Sequence, residues 1–398
     1  DSIKVAGRQL DFREDKTFYY YDYSLIANRV GFVQKGTEGV KSVEVFYAGK
    51  FNPSAARSPS DYMRIDSDGV FLRSYGYSLW FPIFLEPAAP SHAVNFPEAT
   101  FRYPVGFQCV FVGNRESVDH DDGDVISTWS AQGIDLMDYQ CTVQRWKTLT
   151  EGWLSVYYLP DSVSSMKARA ILEFTTSFNE RCDRRFMKNK LPQQGHIAEM
   201  PEFGDIASAN MTGISERLWR SFGDDSHSKE TFAHEIVHAY VQIPIEQADP
   251  LCAFVMEGFP SCFDDLVLSE YVGDDWLRKL LADHERSYLS KKATGLDRYG
   301  KKLPPDKPLD QISFDEIGDY KDNFMLTSRT SLFFNFLRVR MGENRYSEFE
   351  RDLFDCARIS NERFRDIVLK HLPGSEEDLT LWLSSVEYPD RFRLENLR

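Results

Sequence analysis

The sequence predicts an α+β chain of two domains, all-β over residues 1–160 and mostly helical over residues 161–398. Three observations carry this. Short β-branched and aromatic runs broken by turn clusters fill the first 160 residues. Beyond them the apolar spacing changes to that of amphipathic helices. The length of 398 residues leaves room for two or three separate cores. Composition agrees, with 42% hydrophobic and 27% charged residues, and 30 Phe with 19 Tyr supply bulky core material. Disorder, collagen-like repeats and a disulfide miniprotein are excluded.

Val43–Tyr47, Gly69–Arg73, Ala99–Tyr103, Phe107–Val112 and Trp153–Leu159 read as strands. Asn52-Pro-Ser, Pro87-Ala-Ala-Pro-Ser and Asp121-Asp-Gly-Asp124 read as the turns between strands. The acidic run Asp119–Asp124 lacks the alternating ligands and closing Glu of a calcium loop, so a solvated hairpin tip is the better reading. In the second region, Ile171, Phe174 and Phe178 share one helical face. Further helices are expected around Thr231–Val241, Thr330–Met341, Ser347–Ala357, Glu362–Leu372 and Glu376–Ser385, with Gly342 and Pro373-Gly374 as stops. Ser290–Gln311, rich in Lys, Gly and Pro, reads as a long surface loop.

The net charge of -15 argues against a nucleic-acid partner, which calls for a basic face. No run is long and apolar enough for a membrane span. The chain starts at Asp1 with no signal peptide in view, so a removed leader stays open. It reads as soluble, either cytoplasmic or secreted/periplasmic. Six cysteines are too few for a disulfide framework. Cys109 with Cys141, and Cys252 with Cys262, are the pairs open to oxidation. Oligomeric state has no sequence signal.

One stretch carries chemistry. Thr231–Tyr240 holds His234-Glu235-x-x-His238 in a helix capped by Ser226 or Ser228. Residues four apart lie one above the other, so both imidazoles reach one ion, while Glu235 projects about 100° round the helix as a base. After eighteen intervening residues comes Glu257, in Phe254-Val-Met-Glu-Gly-Phe-Pro-Ser261. A second helix beginning near Met256 would present this carboxylate, with Pro260 tolerated in its first turn. Three protein ligands and one open position define a catalytic zinc site, one Zn²⁺ per chain. Asp264, on the same face as Glu257, is a candidate to orient a histidine, against the competing reading of a solvated helix acid.

This pattern, ending in Glu257-Gly-Phe, resembles the aminopeptidase-N-type zinc peptidases of the gluzincin group, which includes thermolysin. Phe81-Pro-Ile-Phe-Leu-Glu-Pro87, Gly152–Pro160, Val339–Glu343 and Trp382–Pro389 are similar to other parts of that family. The resemblance implies a saddle-like N-terminal β domain, a thermolysin-like catalytic domain, and a peptide or small-protein substrate. It implies hydrolysis by zinc-activated water with Glu235 as general base. It also implies an oxyanion-stabilising tyrosine some sixty residues past the third ligand. Tyr320 is the candidate; counting back from Gly342 points instead to Thr327.

The departures concern substrate recognition. The family grips the free α-amino group with the Glu of a Gly-Ala-Met-Glu-Asn strand. Here the strand reads Ala207–Ile214, with Asn210 at the Glu position and Gly213 three residues on, both candidates for substrate binding. The second amine-binding group comes from the β domain, where Arg73 stands in Leu72–Tyr75 with no acid. Altered recognition of the free amine is therefore expected. A conventional aminopeptidase using Glu202, Asp205 or Glu216, and an inactive zinc-retaining peptide binder, are the alternatives. Asn210-Met-Thr212 is also a formal glycosylation sequon, which an open cleft would require to be unmodified.

Overall fold

The computed structural model describes residues 2–5, 8–10, 13–15, 29–31, 43–46, 64–65, 67–73, 93–135, 140–186, 194–200, 206–208, 210–224, 226–241, 243, 245–246, 248–296, 302–317, 320 and 325–397. Its N-terminal region is β-rich and its C-terminal region mostly helical. The first strands are Ser2–Val5, Arg8–Leu10, Arg13–Asp15, Arg29–Gly31, Val43–Phe46, Arg64–Ile65 and Val70–Arg73 (β1–β7). Ala93–Pro104, Gln108–Phe111, Asn114–Asp121, Asp124–Asp135, Gln140–Gln144, Lys147–Glu151 and Leu154–Tyr158 follow as β8–β14.

β8, β11 and β10 form one antiparallel sheet, and β6, β7, β12 and β9 another. The acidic run expected at a hairpin tip is one. Asp122 and Gly123 turn β10 into β11 with φ of 46° and 87°, the two left-handed positions that a type I′ turn demands. Phe111, Trp129, Cys109 and Val110 are buried in one apolar cluster of this region. Cys109 Sγ lies 3.9 Å from Cys141 Sγ, and both are thiols.

The junction between the regions is a five-stranded sheet. Gly195–Met200, Ile206–Ser208 and Met211–Ser215 (β15–β17) join β13 and β14 in the order β13-β14-β15-β17-β16. β14, β15 and β17 run parallel, and the 25-residue helix α1, Ser162–Phe186, makes the crossover between the first two. Side chains alternate across this sheet as the pleat requires. Leu154, Val156, Ile197 and Ile214 pack on the helical side, while Tyr157, Ala198, Met200 and Met211 pack on the β-rich side. Residue 160, the expected border, falls between β14 and α1, so strands from both sides of it share one sheet.

The helical side continues with Glu216–Ser221 (α2), Ser226–Val241 (α3), Phe259–Val272 (α4), Asp274–Thr294 (α5) and Ser328–Met341 (α6). Glu343–Phe354 (α7), Asn361–His371 (α8) and Glu376–Ser384 (α9) complete it. Phenylalanine rings interlock at the centre, among them Phe254 with Phe259 at 5.3 Å and Phe263 with Phe334 at 5.2 Å. The expected loop from Ser290 needs correction. α5 runs on to Thr294 and ends at Gly295, whose φ of 64° accommodates a left-handed stop. Its sequence is highly polar and buries only Leu277, Leu281 and Tyr288, which hid it.

A candidate metal centre

α3 buries Phe232, Ala233, Ile236, Val237, Tyr240 and Val241, and this apolar stripe fixes how the helix is rotated. His234 and His238, one turn apart, then converge, with their Nε2 atoms 3.1 Å from each other. The third group comes from an unusual element. Phe254–Gly258 is a single π-helical turn in which the Phe259 N–H reaches back to the Phe254 carbonyl. It runs directly into α4, with Pro260 in the first turn as the sequence allows. Gly258 lets this turn approach α6, because a Cβ there would sit 2.7 Å from Thr330 Oγ1.

The wider turn delivers Glu257 Oε2 to 3.5 Å from His234 Nε2 and 3.9 Å from His238 Nε2. Zinc bonded at about 2.0–2.2 Å in tetrahedral geometry holds its ligand atoms about 3.3–3.5 Å apart, and the three observed separations bracket that value. Two imidazoles and one carboxylate are also a donor set that suits zinc. Glu235 shares the helix turn with the two histidines and is only 6% exposed. Asp264 is not a solvated helix acid. It is 2% exposed, its Oδ2 lies 3.5 Å from His234 Nδ1, and burial pushes its carboxyl well above the usual range. A carboxylate behind a metal-binding imidazole fixes the ring's orientation.

The other candidate residues make the following contacts, where they are described. Tyr320 is buried, and its hydroxyl donates to the Pro305 carbonyl at 2.8 Å. Asn210 turns toward the β-rich region. Its Oδ1 accepts the Gly113 N–H at 2.8 Å, and its Nδ2 donates to the Gly113 carbonyl at 2.8 Å and the Gln194 carbonyl at 2.6 Å. Gly213 is buried within β17. Arg73 ends β7 opposite Gln140, and its side chain lies outside the described residues. So do Glu202, Asp205 and Phe81–Pro87. Sequence reading passed over Asp265, Glu230 and His284, which gather beside the centre. An Asp-Asp pair inside the apolar run Phe259–Leu268 was the signal available, since such acids are buried only with partners.

Among solved structures the chain is similar to the M1 zinc metallopeptidase from Deinococcus radiodurans, with a TM-score of 0.67 and 14% identity over 98% of this chain and 84% of that one. A glutamate-to-alanine mutant of that enzyme bound to a Tyr-Ser-Ala substrate gives 0.64 at 14% identity over 98% and 84%. A two-domain M1 zinc metallopeptidase mutant bound to L-arginine gives 0.65 at 14% identity, again over 98% and 84%. At this identity the likeness establishes the fold. No protein-family model matches the chain, and no curated protein matches it by sequence. No helix among the described residues is long and apolar enough to cross a membrane.

Proposed function

We propose that the chain is a zinc-dependent peptidase in which the free amino terminus of the substrate is recognised differently from the enzymes it resembles. The observation that carries the reading is the convergence of His234, His238 and Glu257, with buried Glu235 on the same turn. Zinc bound there supplies a water acidic enough to ionise near neutrality and a Lewis acid for the scissile carbonyl. The Glu235 carboxylate accepts the water proton and returns it to the leaving amine. Asp264 holds the His234 ring in place throughout. A short peptide as substrate is supported by the Tyr-Ser-Ala bound to a neighbour of this fold.

Altered amine recognition is supported by Asn210. It stands where the resembling family has its amine-binding Glu, it carries no charge, and its amide is bonded to backbone. A substrate ammonium therefore lacks a charge-assisted partner at this position. The conventional aminopeptidase reading needs an acid from elsewhere, and Glu216 is already paired with Arg220 at 2.7 Å. An oxyanion role for Tyr320 requires its hydroxyl to exchange the Pro305 carbonyl for the substrate. A kcat loss of about 100-fold in Tyr320→Phe, with KM little changed, is the result such a role demands.

The decisive experiment presents one peptide set with free and with acetylated N-termini to the protein and to Glu235→Gln, reading products by mass spectrometry and metal by elemental analysis. Cleavage of blocked peptides or internal bonds is expected. Glu235→Gln should keep its zinc and lose about 10³-fold in kcat. Stepwise release from free N-termini alone would restore the conventional aminopeptidase, and zinc with no cleavage of any peptide would leave the binding role.

A further inference from the structure

Glu230 lies one turn before His234 on α3, Asp265 follows Asp264 on α4, and His284 comes from α5. A ligand-type atom of each lies within 4.8 Å of the other two. His284 is held by Ser328, whose Oγ is 3.0 Å from Nδ1. Its Nε2 is buried and makes no hydrogen bond, although Asp265 Oδ2 is 3.3 Å away, off the line an N–H would take. Asp265 Oδ2 accepts the Ser331 hydroxyl at 2.9 Å. Among the described residues no Lys or Arg pairs with Asp264 or Asp265, though both are 2% exposed. Ser328, His284 and Asp265 have the order of a hydrolytic triad, but Ser328 is fully buried and no substrate reaches it.

We propose that Glu230, Asp265 and His284 bind a second divalent cation of the zinc or manganese class. One imidazole with two carboxylates is a donor set for such ions. An Nδ1–H donated to Ser328 leaves the Nε2 lone pair facing the two carboxylates, which is how a neighbouring hydrogen bond selects a metal-binding tautomer. The ion also answers an electrostatic problem, because the adjacent buried carboxylates of Asp264 and Asp265 need positive charge beside them. The competing arrangement is a proton in place of the ion. Asp265 draws the His284 imidazole above its ordinary range, against the opposing effect of burial, and burial pushes the Asp265 carboxyl up.

The bound cation would fasten α3, α4 and α5 together next to the first centre. It would act on that centre through one peptide unit, since the Asp265 N–H donates to Asp264 Oδ1 at 2.6 Å and Asp264 faces His234. Its role is positioning.

The test counts metal and needs no substrate, so its failure is distinct from failure of the peptidase reading. Protein stripped with chelator is dialysed against a buffered nanomolar concentration of free zinc and analysed for zinc per chain. Two are expected in the wild type, one in Glu257→Gln and one in Glu230→Gln. Glu230 is only half-buried, which protects folding in that variant, and circular dichroism verifies it. His284→Gln should match Glu230→Gln. A wild-type count of one, or a count of two unchanged in both Glu230→Gln and His284→Gln, overturns the proposal.

Discussion

Glu235 and Asn210 show how differently two polar residues can be determined. Glu235 owes its place to its own helix, since the interval between His234 and His238 fixes where it points. The convergence of His234, His238 and Glu257 beside Glu235 was legible in the sequence for that reason: helix periodicity places the first two and Glu235, and a short connection brings Glu257 to them. Asn210 depends on Gly113, 97 residues away in sequence, and no local pattern encodes that bond. Asn210→Ala would leave both the N–H and the carbonyl of Gly113 without these partners. A destabilisation of about 2–3 kcal/mol is expected, measured by urea unfolding. Asn210→Asp keeps an acceptor for the N–H but sets a carboxylate against two carbonyls, so it should not rescue stability.

Among the elements, the π turn before α4 is, like the end of α5, one that the sequence concealed. The helix expected from near Met256 begins at Phe259, after a widened turn that nothing in Phe254–Gly258 announced; the close approach of α6 at Gly258 supplies a tertiary cause for it. Gly258→Ala tests that cause. The added methyl meets Thr330, a buried β-branched side chain with little freedom to move, so the turn must shift and carry Glu257 with it. Zinc affinity should fall at least about tenfold, read by competition with a chromogenic chelator. The C-terminal helix is fixed by another device. Arg329, fully buried on α6, donates to the carbonyls of Leu381, Trp382, Ser385 and Glu387 and to the Tyr288 hydroxyl. Five donors in a planar fork suit these acceptors, and a lysine cannot reproduce them. Arg329→Ala should cost about 3–5 kcal/mol by the same unfolding measurement.

At the scale of the molecule, one peptide unit joins the β-rich region to the shared sheet. The Gly113 carbonyl that receives Asn210 also lies 3.1 Å from His196 Nε2, and the His196 ring packs 5.3 Å from Trp129. Burial lowers the His196 pKa to about 4, so the folded chain holds this imidazole neutral. In the unfolded chain it gains a proton near pH 6.5. The stabilisation is therefore complete above pH 6.5, declines as pH falls toward 4, and amounts to roughly 3 kcal/mol. Unfolding measured across this window should show the slope in the wild type and a flatter profile in His196→Gln. The two-region architecture was legible because the apolar period changes near residue 160. That the regions share a sheet was not, because strand pairing across a 25-residue helix leaves no local trace.

This shared sheet also imposes an order on biosynthesis. The β13–β14 hairpin leaves the ribosome before any of its parallel partners exist, showing an open strand edge and an apolar face formed by Leu154 and Val156. The face is covered once α1 has been made, but the edge stays open until the chain has been translated past α1 to Gly195. Throughout that interval the nascent chain is a template for strand pairing, and a chaperone or a neighbouring nascent copy would compete for the same edge.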